Sequence, residues 1–158
     1  MSSAALSKYG PVPGDYSPEE WEARCDLAAC YRLVDHYGWS DLFGTHISLR
    51  VPGTDHFLLN PYGMLFGEIT ASSLVKVDQD GKMLTESEYP INPAGFTIHS
   101  AVHMASHEMN AVLHTHTRAG NAVSCMKDGL LPYHQKALTI LGFVGYHDYE
   151  SVALDHDE

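Results

Sequence analysis

The stretch His46-Ile-Ser-Leu-Arg-Val51 alternates polar and apolar side chains. Successive side chains of a β-strand point to opposite faces of the sheet, so this alternation predicts a strand with one apolar and one polar face. The turn residues Pro52–Asp55 follow and lead into a second predicted strand at His56–Asn60. We therefore expect the chain to build a sheet that contains these two strands.

A helix is predicted upstream of these strands. Ser17-Pro-Glu-Glu20 has a Ser cap, Pro at the first helical position and Glu at the third, which is typical of a capping box. The helix is expected to run to about Tyr37, and Gly38 is a natural stop. Its apolar stripe consists of Trp21, Cys25, Ala28, Tyr31 and Val34. Residues 1–16 show no periodicity and are expected to be a flexible N-terminal arm or a segment that packs against a neighbour. The folded domain is placed at residues 17–158.

Further strands and a second helix are predicted downstream. Asn92-Pro93 starts this helix, with Asn as the cap and Ile98, Val102 and Ala105 as the apolar stripe. The other predicted elements are a capped turn at Thr70–Ser73, a strand at Leu74–Val77 with a hairpin turn into Lys82–Leu84, and strands at Ala111–Thr117 and Leu138–Gly145. This order favours an α+β or mixed α/β fold in which helices cover a largely antiparallel sheet.

The composition limits the classes of function. The 158 residues suit one domain, and 44% apolar residues supply a packed core. The formal charge of -11 argues against nucleic acid and anionic membranes as partners. No apolar run is long enough for a membrane span, and the first residues do not resemble a secretory signal. The three cysteines, without metal-type spacing, predict reduced, buried thiols in a cytoplasmic protein.

Histidine is the residue type that stands out, with 11 among 158 residues. His114 and His116 are two positions apart on a predicted strand, so both side chains point to one face and can converge on one metal ion. A chain this rich in histidine also contains such a pair by chance, and the alternative is a solvent-facing strand surface. His99, His103 and His107 share one helix face. Without the Glu of a zincin motif, they are expected to form a polar, solvated surface.

Eight stretches of the chain occur in the order found in one protein family. They are Tyr37–Ser40, His46–Arg50, Phe57–Gly63, Glu68–Asp78, Ala94–Ser100, Val112–Thr117, Gly129–Pro132 and Tyr146–Tyr149. Together they resemble the class II aldolase and adducin family, and within it the head domain of adducin most closely. The resemblance implies a three-layer α/β/α domain around a central, mainly antiparallel sheet. It also implies self-association, often as a homotetramer with active sites between subunits.

The resemblance also implies a metal site. His114 and His116 stand where the aldolases and epimerases of the family place two of three histidines that hold a divalent ion, usually zinc. Such an ion acts as a Lewis acid in retro-aldol cleavage of a C–C bond, where it stabilises the enediolate. His99 matches a helix position near that site, with a packing, hydrogen-bonding or ligand role.

The chain departs from the family pattern at three places. The acid/base Glu of the aldolases is replaced by Gly95. In the phosphate-binding loops, Ser48 and Gly63 are kept, whereas Thr45 and His46 stand where the family has Gly-Asn. The third metal histidine of the family lies beyond the match to Tyr146–Tyr149, so the domain is expected to be incomplete at its C-terminus.

Several functions remain open at this point. The first is a divalent-metal-dependent aldolase-type lyase acting on a small carbonyl or sugar-like substrate, with Tyr133, His134 or a bound water replacing the missing Glu. Thr45, His46, Ser48 and Gly63 are then the predicted substrate-binding residues. The alternative is a non-catalytic, adducin-head-like module for oligomerisation and protein contacts. A third reading is a metal-dependent decarboxylase or oxygenase on the same fold.

Overall fold

The computed structural model describes residues 5–148 and Val152. The elements in chain order are β1 (Leu6–Ser7), β2 (Gly10–Pro11), α1 (Pro18–His36), β3 (His46–Arg50), β4 (Phe57–Leu59), a 3₁₀ turn (Phe66–Glu68), β5 (Val75–Val77), α2 (Pro93–Ala105), β6 (Ala111–His114), α3 (Arg118–Ser124), α4 (Gln135–Ile140) and a second 3₁₀ turn (Leu141–Phe143). Strands β3 to β6 form an antiparallel sheet in the order β5-β4-β3-β6. The predicted antiparallel sheet is therefore confirmed.

Helices cover both faces of this sheet, as the predicted three-layer architecture requires. On one face, Tyr31 and Val34 of α1 pack with Ile47 and other buried apolar side chains. The Tyr31 hydroxyl accepts hydrogen bonds from the backbone N–H of Ile47, at 3.0 Å, and of Asn60, at 3.1 Å, and so joins α1 to β3 and the end of β4. The other face of β3 lies under α2. Both faces of β3 are buried, including the polar face.

The start of α1 follows the prediction with one difference. The Ser17 side chain caps the helix by accepting a hydrogen bond from the backbone N–H of Glu20. The Glu20 carboxylate does not return to the cap as a capping box predicts. It is buried, where it pairs with Arg24 at 2.9 Å and with Lys76 at 2.7 Å. The side chain at the third helical position thus ties α1 to β5, because two cations are within its reach.

The predicted N-terminal arm lies against α1 of the same chain in its described part, residues 5–16. Strands β1 and β2 form a small hairpin. At its turn, the Lys8 backbone N–H donates to Glu22 at 2.7 Å, and the Lys8 ammonium pairs with Asp26 at 2.8 Å. Val12 is buried. The segment therefore contacts its own domain.

Three sequence predictions differ from the structure: a strand, the burial of the cysteines and the second strand of a hairpin. Leu138–Gly145 is not a strand, because the His134 side chain caps α4 and the chain continues into a 3₁₀ turn. A short apolar run does not distinguish a strand from a helix by periodicity. Cys125 is exposed, not buried, and Cys25 and Cys30 are half-buried. The three thiols are free, as predicted. The Lys82–Leu84 segment makes a single bridge, from Met83 to Val77, instead of a regular strand.

Candidate active site

The histidine face of α2 is buried, which corrects the expectation of a solvated surface. His99 is 0% exposed and His103 is 1% exposed, whereas Ile98 and Val102 of the predicted apolar stripe are only half-buried. The reason is the polar face of β3, which lies opposite and offers hydrogen-bonding partners to the imidazoles. His107, one turn further along, is exposed. Periodicity identified the helix face correctly but could not show what covers it.

These buried side chains form one continuous hydrogen-bonded chain. His46 Nδ1 lies 2.8 Å from His99 Nε2, and His99 Nδ1 lies 2.7 Å from the Ser48 hydroxyl oxygen. The same hydroxyl lies 2.7 Å from His103 Nε2, and His103 Nδ1 lies 3.0 Å from the carbonyl oxygen of Met109. We call this arrangement, His46–His99–Ser48–His103–Met109, the imidazole chain. It satisfies both ring nitrogens of His99 and of His103 within the protein interior.

Arg50 anchors the far end of the imidazole chain. Its guanidinium Nη2 donates to the backbone carbonyl oxygen of His103 and, at 3.4 Å, to that of Ser106. These carbonyls belong to the C-terminal end of α2, which has no further helical turn to satisfy them. The polar face of β3, with His46, Ser48 and Arg50, is therefore occupied along its whole length by α2.

At the other end, the imidazole chain reaches the predicted metal pair. The His46 ring stacks on His114, with centroids 4.7 Å apart and an interplanar angle of 12°. Strand β6 carries His114 directly opposite His46 in the register of the sheet. His114 Nε2 lies 2.9 Å from His116 Nε2, and His116 Nδ1 lies 2.9 Å from a carboxylate oxygen of Asp41. The two histidines thus converge, although β6 ends at His114 and His116 lies just past it, so the strand predicted over Ala111–Thr117 is shorter than expected.

The chemistry of this pair fits a divalent metal ion. Two nitrogens that bind one zinc ion at about 2.0–2.1 Å lie roughly 3.3–3.4 Å apart in a tetrahedral site, so the observed separation of 2.9 Å would have to open by about 0.4 Å. The Asp41 carboxylate accepts a hydrogen bond from Nδ1–H of His116. This leaves the lone pair of His116 Nε2 free to bind a metal ion. Within residues 5–148 and at Val152, no three His, Cys, Asp or Glu side chains group closely enough to hold a metal ion. The pair would therefore need further ligands from water, substrate or elsewhere.

Burial favours the neutral form of four histidines of the site, His46, His99, His103 and His114. Burial, with smaller contributions from the neighbouring His114 and His116, lowers the pKa of His46 to about 4. It lowers the pKa of His99 to about 3, with smaller contributions from neighbouring histidines. The pKa values of His103 and His114 are also lowered, again chiefly by burial. Neutral imidazoles have a lone pair for a metal or a hydrogen bond and leave a bound cation its full charge.

Gly95, at the first turn of α2, leaves room for the His46 ring. A Cβ built at this position would lie 2.9 Å from Cδ2 and 3.2 Å from Nε2 of His46. Any side chain here would collide with the ring unless one of them moved. The absence of a side chain at Gly95 and the presence of an imidazole at His46 are therefore structurally coupled.

The other predicted site residues lie at varying positions. Thr45 is fully buried next to His46, and its hydroxyl accepts a hydrogen bond from the Asp41 backbone N–H at 3.2 Å. Gly63 has a φ of 112° in the exposed loop after β4, a conformation that favours glycine. Tyr133 is 86% exposed, and His134 caps α4. A catalytic role for Tyr133 and His134 stays a prediction.

The sequence did not predict the roles of two side chains of the site. Asp41 contacts His116 across 75 residues of chain, and no local pattern around Asp41 marks it as a partner. His103 did carry a signal, because it follows His99 by one helical turn. That signal could be interpreted only once β3 was known to cover the same helix face.

Fold and site together define a class of protein with paired histidines on an antiparallel sheet between helices. Residues 25–157 match the model of the class II aldolase and adducin N-terminal domain, and the chain belongs to this family. A Pseudomonas aeruginosa protein named as an aldolase class 2 protein is 61% identical over 99% of this chain and 60% of its own length. Mouse alpha-adducin is 48% identical over 90% of this chain and 20% of its own length.

Solved structures agree with the family. An aldolase II superfamily protein from Pseudomonas syringae has a TM-score of 0.86 and 56% identity over 90% of this chain and 58% of its own. L-fuculose 1-phosphate aldolase from Glaciozyma antarctica has a TM-score of 0.74 and 30% identity over 83% of this chain and 55% of its own. The chain thus spans about 60% of the aldolase class 2 relatives it matches. Among the described residues, no helix is both long and apolar enough to cross a bilayer.

Proposed function

We propose that the chain carries the metal-binding half of an aldolase-type lyase site that cleaves a C–C bond next to a carbonyl in a small, sugar-like substrate. The observation that carries this proposal is the convergence of His114 Nε2 and His116 Nε2 at 2.9 Å, with Asp41 behind His116. Family membership and the likeness to an L-fuculose 1-phosphate aldolase support a lyase. Zinc is the ion that this nitrogen pair suits, and self-association as a homotetramer is part of the proposal.

The residues of the chain have separate tasks in this site. His114 and His116 hold the ion, and Asp41 orients the His116 ring through its Nδ1 proton. The ion, when bound, supplies Lewis-acid polarisation of the substrate carbonyl. His46 stacks on His114 and fixes its ring against β3. Burial of this face excludes water from the inner side of the site and so strengthens its electrostatic interactions.

Zinc binding by the purified protein tests this proposal. We expect calorimetric titration of the metal-free chain with zinc to show about one ion per chain. The His114→Ala/His116→Ala double variant should lose this binding, because it removes both imidazoles that are proposed to hold the ion. The matched control is His107→Ala, which removes an exposed histidine of α2. It should bind zinc like the wild type.

The lyase activity needs its own assay. The zinc-loaded chain is incubated with unphosphorylated and phosphorylated ketoses, and release of an aldehyde is followed by coupled reduction. Aldehyde release that depends on both histidines supports the lyase. If the folded wild type binds no zinc, the metal-dependent function is contradicted.

One observation favours a second candidate, a non-catalytic module like the head of adducin. Gly95 has no side chain, so the first turn of α2 offers no carboxylate beside the histidine pair. The similarity to alpha-adducin extends over 90% of this chain. This candidate predicts self-association without aldehyde release. The aldehyde assay separates it from the lyase, because both candidates predict self-association.

A further inference from the structure

One polar atom of the imidazole chain has no partner. His46 is 4% exposed and its Nδ1 is bonded to His99, but among residues 5–148 no group is hydrogen-bonded to its Nε2. This nitrogen lies beside Gly95, and the ring that carries it stacks on His114. The fully enclosed, unpaired side-chain nitrogens and oxygens of the described residues are Nε and Nη1 of Arg50, so His46 Nε2 is open to an incoming group. An accessible nitrogen without a partner beside the histidine pair is a position at which a ligand can form a hydrogen bond.

The Met109 carbonyl fixes the direction of every hydrogen bond in the imidazole chain. A carbonyl oxygen only accepts, so His103 Nδ1 must carry the proton. In neutral His103, Nε2 is then an acceptor, and the Ser48 hydroxyl must donate to it. That hydroxyl has used its single proton, so it accepts from His99 Nδ1.

The same logic reaches His46. Because neutral His99 has its proton on Nδ1, its Nε2 accepts, and His46 Nδ1 must donate. The proton of neutral His46 is therefore on Nδ1, and Nε2 has a lone pair only. Reversing any one bond would set two protons or two lone pairs against each other. A backbone carbonyl at the end of α2 thus determines the tautomer of a side chain at the metal pair.

We propose that His46 Nε2 is a fixed hydrogen-bond acceptor that selects a substrate with a neutral hydroxyl group next to the His114–His116 pair. A hydroxyl can donate to this lone pair, whereas a carboxylate or phosphate oxygen would face it with another lone pair. The preferred substrate is an uncharged hydroxy-carbonyl compound at this point of the site. This inference rests on the proposed function, because it assigns the substrate class of the same site.

The tautomer of His46 can be measured without any metal or substrate. Two-bond proton–nitrogen correlation spectra of the ¹⁵N-labelled, metal-free chain at pH 7 distinguish a protonated from an unprotonated ring nitrogen. We expect His46, His99 and His103 each to have the proton on Nδ1. A proton on Nε2 of His46 would overturn the inference, because the atom would then be a donor.

The selectivity is tested with two probes that differ in one donor. Hydroxyacetone has a carbonyl and a hydroxyl, and methoxyacetone keeps both oxygens but lacks the proton. We expect the zinc-loaded wild type to bind hydroxyacetone about three- to tenfold more tightly, the value of one neutral hydrogen bond. His46→Phe keeps an aromatic ring on His114 but has no acceptor, so its preference should fall to about one.

The outcomes separate this inference from the proposed function. Zinc binding with equal affinity for the two probes, or a preference that persists in His46→Phe, would overturn the inference and leave the metal pair intact. Absence of zinc binding would contradict the proposed function, and the tautomer spectra would still decide whether His46 is an acceptor. His107→Phe serves as the control for replacing a histidine with phenylalanine and should keep the wild-type preference.

Discussion

The buried histidines make the stability of the fold depend on pH. The pKa values of His46 and His99 are about 4 and about 3 in the folded chain, against an ordinary value of 6.5. Below pH 6.5 the unfolded chain therefore binds protons that the folded chain does not bind. The free energy of unfolding falls as the pH is lowered from 7, and the loss ends once the pH has passed the two folded values.

The size of this effect follows from the two shifts. Between pH 7 and pH 5 an unfolded histidine becomes almost fully protonated, while both buried imidazoles remain largely neutral. Linkage gives a loss of about 2 kcal/mol for each residue, and roughly 3–4 kcal/mol for both. This is a large fraction of the 5–15 kcal/mol by which domains are typically stable. Mild acid should therefore lower the free energy of unfolding measurably.

Urea unfolding, followed by circular dichroism at pH 7 and pH 5 in the presence of EDTA, measures this loss. The chelator removes metal binding from the comparison. In His46→Phe the loss should shrink by about 2 kcal/mol, because one buried imidazole is gone, whereas His107→Ala should keep the full loss. Equal unfolding free energies of the wild type at the two pH values would refute the assignment of two neutral, buried imidazoles.

The remaining predictions concern packing, metal affinity and a buried hydroxyl. Gly95→Ala should lower the free energy of unfolding by about 1–3 kcal/mol, because its Cβ would lie 2.9 Å from a ring carbon of His46. Gly142→Ala, with nothing within 4 Å, should not destabilise the chain in the same urea titration. Asp41→Ala should weaken zinc binding about 10- to 100-fold by calorimetry, and unchanged affinity would exclude a role for this carboxylate. Tyr31→Phe leaves two buried backbone N–H groups unpaired and should cost about 2–4 kcal/mol by thermal unfolding. A smaller cost would mean that water replaces the hydroxyl.

Local signals in the sequence predicted the parts of the fold that depend on neighbouring residues. Ser17 and Asn92 cap α1 and α2 as their side chains indicate, since a cap is satisfied by a backbone group three residues away. Gly38 takes a left-handed conformation just past the end of α1, as a helix stop requires. The apolar run at Leu138–Gly145 was assigned wrongly, because its helix depends on a cap at His134 that the hydrophobic pattern does not reveal.

For the site, the two-residue spacing of His114 and His116 predicted that their rings converge, and they do, although β6 ends at His114. The sequence also showed that His99 and His103 share a helix face. Only the tertiary structure decided that this face is buried, since burial depends on β3, which lies about 50 residues away along the chain. The same packing brings Asp41 to His116 and fits the His46 ring into the space at Gly95. Spacing in the sequence therefore determined which histidines point together, and the packing of distant segments decided their partners, their charge state and the tautomer that His46 presents.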